Sequence, residues 1–280
     1  MERETQSANK VRTATLRAMR DAFRRYRPDL EIDDGGYIAS FHDNLLPGVS
    51  VDDFVADLQS GDGNELETKF RAAHSSSALA VNTFAPFRTR RSDLDLLEVG
   101  PFQSLQFERK CPTGLRGGRS PNLDVLLCGH PGVIGIESKM TEYLSRHRAK
   151  FRPAYLQQIR DERCEQGYFR EMLRLLEQPD HYAWLDAAQL IKHAFGLART
   201  FRGRPVSLLY LYWEPVNPEA HPVFGEHRRE IEEFAERVAG STPEFHSMSY
   251  PALWAALGKT APEWLSMHLD NLSSRYLVTI

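Results

Sequence analysis

Asn122-Leu-Asp-Val-Leu-Leu-Cys-Gly-His-Pro-Gly-Val-Ile-Gly-Ile-Glu-Ser-Lys139 decides how this chain is read. Two apolar runs, Leu123 to Cys128 and Val133 to Ile136, flank Gly129-His130-Pro131-Gly132, a strong turn signal between strands. A four-residue loop there pairs Cys128 with Val133, and counting outward sets Asp124 across from Glu137. Directly opposed residues share a face, with Cβ atoms ~4.5–5.5 Å apart. Lys139 lies two residues beyond Glu137 and points the same way. Two carboxylates and an ammonium thus converge by strand geometry, and a loop one residue longer or shorter would undo the opposition.

Two carboxylates so close repel each other unless a cation or a shared proton relieves the charge. Mg²⁺ suits such a pair, because it takes carboxylate oxygens and keeps several waters; Mn²⁺ is the expected substitute. Water on the ion becomes more acidic, and a nearby lysine helps to position or deprotonate it. The opposite face, Leu123, Val125, Leu127, Ile134 and Ile136, is expected to be apolar, with Ser138 its one polar exception. The bland alternative is an exposed strand with a Glu137–Lys139 ion pair. Exposed strands alternate apolar and polar residues, whereas both runs here are almost continuously apolar up to their charged end.

Asp124 with Glu137-Ser138-Lys139 resembles the PD-(D/E)xK nuclease superfamily, the restriction-endonuclease-like fold. The resemblance implies that Asp124 and Glu137 hold the metal and that Lys139 assists the attacking water. Leu123 stands where the superfamily pattern has proline, and Pro121 is not that proline. More loosely, His74-Ser75-Ser76-Ser77-Ala78 before the hairpin, and Gln189-Leu190 with His193 after it, are similar to a group of bacterial restriction-type nucleases. The superfamily fold often begins with a helix whose acid assists the metal. Glu67 is the candidate here, a turn ahead of Phe70 and Arg71 on a helix expected from Asn64 to about Phe84. The implied fold is mixed α/β: an αβββαβ core, a central mixed sheet flanked by helices, with helical additions at both ends. The expected layout over 1–280 is a single nuclease-like domain, with an N-terminal helical extension over 1–60, the catalytic core over 61–215 and a C-terminal addition over 216–280.

The remaining elements follow from periodicity and punctuation. An amphipathic helix is expected over about 8–27, with Val11, Leu16, Met19 and Phe23 inward and Pro28 closing it. Turns and short extended pieces should occupy Glu31 to Gly48, where Asp33-Asp34-Gly35-Gly36 is a turn rather than a metal site. Strands are expected at Asp93–Val99 and Ser104–Arg109, then a Gly117-Gly118 loop before the hairpin. Glu108 approaches the acids only if its strand adjoins Asp124. Helices are expected at about 153–178 and 181–199, the second placing Gln189 and His193 on one face. A buried strand over Val206–Trp213, a helix over Gly225–Ala239, an extended piece near Phe245–Met248, a helix at Pro251–Leu257 and a strand at Tyr276–Ile280 complete the chain.

Composition narrows the function further. A chain of 280 residues buries a sizeable core, and 41% hydrophobic with 26% charged residues is ordinary for a globular protein. Met1 to Lys10 lacks the apolar stretch of a secretory signal, and no apolar run would span a bilayer, so no membrane partner is expected. Cys111, Cys128 and Cys164 have no zinc spacing and suggest a reducing cytoplasm. Net charge is −3, which does not advertise a polyanion binder, but its distribution tells more. Arg17, Arg20, Arg24 and Arg27 recur at helical spacing, Arg88-Arg90-Arg91 form another cluster, and Arg109-Lys110, Arg116-Arg119 and Arg146-Arg148-Lys150-Arg152 bracket the hairpin. Positive charge beside a metal site would retain phosphates.

The leading expectation is a metal-dependent nuclease acting on DNA in defence or repair, with RNA a second candidate substrate and a homodimer one way to cut both strands. The alternative is a nuclease fold kept for nucleic-acid binding or scaffolding without chemistry. A serine hydrolase or zinc hydrolase finds no support, since Gly-x-Ser-x-Gly, His-x-x-x-His on a helix and a phosphate-binding glycine loop are all missing.

Overall fold

A computed structural model describes residues 2–60, 64–115, 121–160 and 166–280. The Gly117-Gly118 loop, Arg116, Arg119 and Cys164 lie outside the described residues.

Helix α1 (Glu2–Tyr26) buries Ala8, Val11, Met19, Ala22 and Phe23 along one stripe and packs against the last helix of the chain. Short turns follow, including isolated bridges between Ile32 and Ile38 and between Tyr37 and Ala72, and then a single helical turn, α2 (Val55–Gln59). The continuous helix expected from Asn64 to Phe84 does not form. Residues Lys69–Arg71 make one 3₁₀ turn, and the Ala73 N–H donates to the Gly36 carbonyl at 2.8 Å, drawing the backbone away from a helical path. Helix α3 (Ser76–Phe84) restarts where the Ser75 hydroxyl accepts the Ala78 N–H, an N-cap.

The strand expected over Asp93–Val99 is also absent. A 3₁₀ turn at Arg91–Asp93 leads into Leu97 and Glu98, both at positive φ (53° and 56°), which no regular strand accommodates. Leu94 and Leu96 are nonetheless buried, so alternation there reflects packing of an irregular segment.

Strand β1 (Phe102–Lys110) is followed by the hairpin, β2 (Asn122–Gly129) and β3 (Val133–Lys139). Helices α4 (Gly167–Glu177) and α5 (Ala187–Thr200) cross over to β4 (Val206–Tyr212), and α6 (Pro222–Val238) crosses to β5 (Glu244–Ser249). The stretch before α4 is a 3₁₀ turn at Pro153–Arg160, shorter than the helix expected from 153, and α5 starts at Ala187 because Asp186 caps it by accepting the Gln189 N–H at 3.0 Å. Helix α7 (Tyr250–Gly258) and α8 (Glu263–Tyr276) end the chain. The expected terminal strand is not formed: Tyr276 closes α8, and residues 277–280 run extended without joining the sheet.

The five strands lie in the order β1-β2-β3-β4-β5, antiparallel up to β3 and parallel beyond it. Helices cover both faces, giving the mixed α/β, restriction-endonuclease-like architecture expected from the sequence. One core joins Val125, Leu127, Ile134, Ile136, Leu209 and Leu211 to α3, α7 and α8. The other joins Leu126, Val133, Leu208 and Tyr210 to α4, α5 and α6. Each fully buried leucine or isoleucine stabilises the layer by about 1.5–3 kcal/mol. Asn82, fully buried, ties α3 to α8: its side-chain amide donates to the Tyr276 hydroxyl at 2.8 Å, and its backbone carbonyl faces His268 Nε2 at 2.7 Å.

Candidate active site

The hairpin forms in the expected register, with Cys128 opposite Val133 and Val125 opposite Ile136. The ladder stops there, one pair short of Asp124 and Glu137, and the two strands part. Asp124 fills the gap: its Oδ2 accepts the Ser138 N–H at 2.6 Å, replacing the missing ladder bond. The parting also turns Leu123 over. It was expected beside Val125, yet it packs in the α5-side core, close to Leu197 above Gly135.

Glu137 is 1% exposed, whereas Asp124 and Lys139 keep part of their surface open at the end of the sheet. Lys139 Nζ stands 2.5 Å from Glu137 Oε1. Ser138 turns to the other face, where its hydroxyl meets the Tyr250 hydroxyl at 2.7 Å. Behind Glu137 lies His193 of α5, fully buried, with Nε2 2.8 Å from Glu137 Oε2, at ion-pair distance but out of line for a hydrogen bond. Close packing of α5 makes that reach available. A Cβ on Gly135 would come within 2.7 Å of Leu197, and one on Gly196 within 2.3 Å of the Cys111 carbonyl oxygen. Gln189, a turn earlier, is half-buried and starts the helix through its backbone N–H.

Two further acids sit nearby. Glu108 lies on β1 between the pairs Phe107–Val125 and Arg109–Leu123, hence level with Asp124, and it adopts positive φ (48°). Asn122 Nδ2 donates to its Oε2 at 3.1 Å. Glu65 takes the Ser77 hydroxyl and acts electrostatically on Glu108. The structure thus puts Glu65, not Glu67, beside the group. Glu67 is exposed, because the helix that would have turned it inward is replaced by turns.

Charge in this group is unevenly shared. Burial, then the Glu137 and Glu108 carboxylates, push Asp124 well above the ordinary range, against Lys139 and the Ser138 N–H. Burial likewise pushes Glu137 up, but Lys139 and His193 outweigh it and hold the carboxyl at about 2. Burial and then Glu65 raise Glu108 to about 7. Burial lowers Lys139, but Glu137, Glu142 and Asp124 outweigh it and keep the ammonium charged. One carboxylate is therefore paired with a lysine while its acid neighbours favour their protonated forms. Among the described residues, no three or more His, Cys, Asp or Glu side chains surround a single point in metal-binding geometry.

The basic clusters divide. Arg88 pairs with Asp57 at 2.5 Å and Arg90 lies over the Trp264 ring, so that cluster is structural. Arg148 pairs with Asp180 at 2.5 Å, and Arg146 covers Trp184. Arg109 and Lys150, and Lys10, Arg12 and Arg17 of α1, are exposed. No described helix is long and apolar enough to cross a membrane.

A five-stranded mixed sheet carrying Asp124 and Glu137-Ser138-Lys139 at the point where its hairpin parts defines a restriction-endonuclease-like protein. The chain belongs to the family described as restriction endonuclease associating with ARP, which it matches over residues 17–277. Membership implies a nuclease-like role with nucleic acid as the substrate class. No curated protein and no solved structure matches the chain.

Proposed function

We propose that the protein is a divalent-metal-dependent endonuclease hydrolysing DNA phosphodiester bonds, with Asp124 and Glu137 as metal ligands and Lys139 as the group that orients the attacking water. The observation that carries this reading is the Glu137–Lys139 pair at the parted strand end, with Asp124 anchored across the gap by the Ser138 N–H. The residues suit a hard cation. Asp124 favours a proton because it is buried and like charges crowd it, and Glu137 Oε1 faces the Lys139 ammonium towards the open end of the sheet. Mg²⁺ commonly binds through one or two carboxylates and keeps the rest of its shell as water or substrate oxygens, which asks no third protein ligand.

When bound, the cation would supply a Lewis acid and a more acidic water. Asp124 and Glu137 would hold it at the open end of the sheet, where a phosphodiester can approach. Lys139, kept protonated by its acidic neighbours, would place its N–H groups on the water or on the phosphate oxygen gaining charge. Water oxygen would bond to phosphorus and release a proton to solvent as the bond to the leaving oxygen breaks, and that oxygen would take up a proton from solvent. Exposed Arg109 and Lys150 near the hairpin in sequence, together with α1, would bind flanking phosphates.

Purified protein incubated with plasmid DNA and Mg²⁺ or Mn²⁺ should nick or linearise it, and EDTA, Asp124→Ala or Lys139→Ala should abolish cleavage in folded protein. Full activity in both variants, or DNA binding indifferent to EDTA with no cleavage of any substrate, would overturn the proposal; the second result would favour a silent nucleic-acid-binding scaffold.

A further inference from the structure

We infer that His193 is a positioning residue for Glu137, clamping one oxygen of that carboxylate so that the other is presented to the cation; this rests on the metal-site reading above. Glu137 is held from both sides. Oε1 faces Lys139 Nζ at 2.5 Å towards the open end, and Oε2 faces His193 Nε2 at 2.8 Å towards the core. No part of the imidazole reaches solvent. Beside an anionic oxygen at that distance Nε2 must carry hydrogen, so the ring can only attract Oε2.

The contact is costly to maintain, which argues against accident. His193 Nδ1 has no hydrogen-bond partner, and a buried polar atom left so costs about 1–3 kcal/mol. The ring is also placed by two close approaches, α5 over Gly135 and α5 against the Cys111 backbone at Gly196. Nε2 and Oε2 meet at ion-pair distance without hydrogen-bond alignment, so the attraction between them is electrostatic. With Oε2 engaged inward, Oε1 is the oxygen available to a cation, and Lys139 is the group that must give way.

Groups that orient metal ligands from behind typically change affinity by about 10–100-fold when removed. The test is Mn²⁺ binding by calorimetry, with cleavage scored separately on the same preparations. His193→Gln carries an amide N–H to roughly the place of Nε2, while His193→Asn falls a methylene short. Mn²⁺ should bind His193→Asn about tenfold or more weakly and His193→Gln within about threefold of wild type. Equal weakening in both folded variants, or wild-type affinity in His193→Asn, would overturn the inference. Wild-type protein that binds no Mn²⁺ would overturn it together with the metal dependence. Mn²⁺ binding without cleavage would count against the nuclease reading alone and leave the variant comparison decisive for His193.

Discussion

The Ser138 N–H donates to Asp124 Oδ2 at 2.6 Å across the point where β2 and β3 part. A side chain thereby replaces a ladder bond, and the same carboxylate is brought against Glu137 and Glu108, the charges that raise it after burial. Structure and chemistry meet in one oxygen atom.

Asp124→Asn should therefore be more stable than wild type in EDTA, because the amide oxygen still accepts the Ser138 N–H without repelling its neighbours. A carboxyl raised in the folded state costs stability above its unfolded value of 3.8, where the unfolded chain releases a proton that the folded one retains. The gain should vanish near pH 3 and reach about 1 kcal/mol or more at pH 8, about 2 °C in the melt. Glu108→Gln should behave likewise, its gain growing between 4.5 and about 7. Lower melting temperatures at pH 8 would contradict the charge distribution.

How far the sequence foretold this site depends on where each contact originates. The hairpin is legible because Gly129-His130-Pro131-Gly132 sets a register that period-two geometry carries to Ile136, one residue short of Glu137. Strand parting was not legible, and with it went the placement of Leu123. Asp93–Val99 mimicked a strand because Leu94 and Leu96 alternate with acids, although positive φ at Leu97 and Glu98 rules one out. The helix ending in Phe84 is shorter than its apolar spacing predicts because Ser75 caps it and the chain before Ser75 turns. With turns in place of that helix, Glu67 is exposed and Glu65 lies nearer the acids. Helix α8, which the expected elements do not include, carries Leu265, Leu269 and Leu272 at helical spacing. His193 shared its helix face with Gln189 as expected, but its contact with Glu137 joins residues far apart in sequence and leaves no local signal.

Lys139→Met should have the opposite effect to Asp124→Asn although both lose cleavage. Removing the ammonium leaves Glu137 Oε1 buried without its counter-charge, a loss of about 3 kcal/mol at neutral pH. Glu137 is held at about 2, so its pairing stabilises the fold above its ordinary 4.5 and fades as pH falls towards 2. Lys139→Met should lose that dependence, and adding Glu137→Gln should recover much of the stability. A single variant as stable as wild type in urea at pH 7 would contradict the pairing.

Acid should destabilise the protein through His227. Its ring stacks on Tyr143 at 4.0 Å and its Nε2 meets the Tyr210 hydroxyl at 3.0 Å, while burial lowers it from 6.5 to about 3. Between those values the unfolded chain takes up a proton that the folded chain refuses, so stability present above 6.5 falls with decreasing pH, by up to about 1.4 kcal/mol per unit from this group. His227→Gln should flatten the urea-unfolding profile over that window by close to one proton. An unchanged slope would show that His227 is not buried neutral.

In the proposed site, Asp124 and Glu137 together hold a divalent cation. Crystals soaked in Mn²⁺ and measured at an anomalous wavelength test it most directly. One strong peak is expected between the two carboxylates, with Lys139 drawn off Glu137 Oε1, and the peak should be lost in Asp124→Asn. No peak there, or one that persists unchanged in the variant, would contradict it.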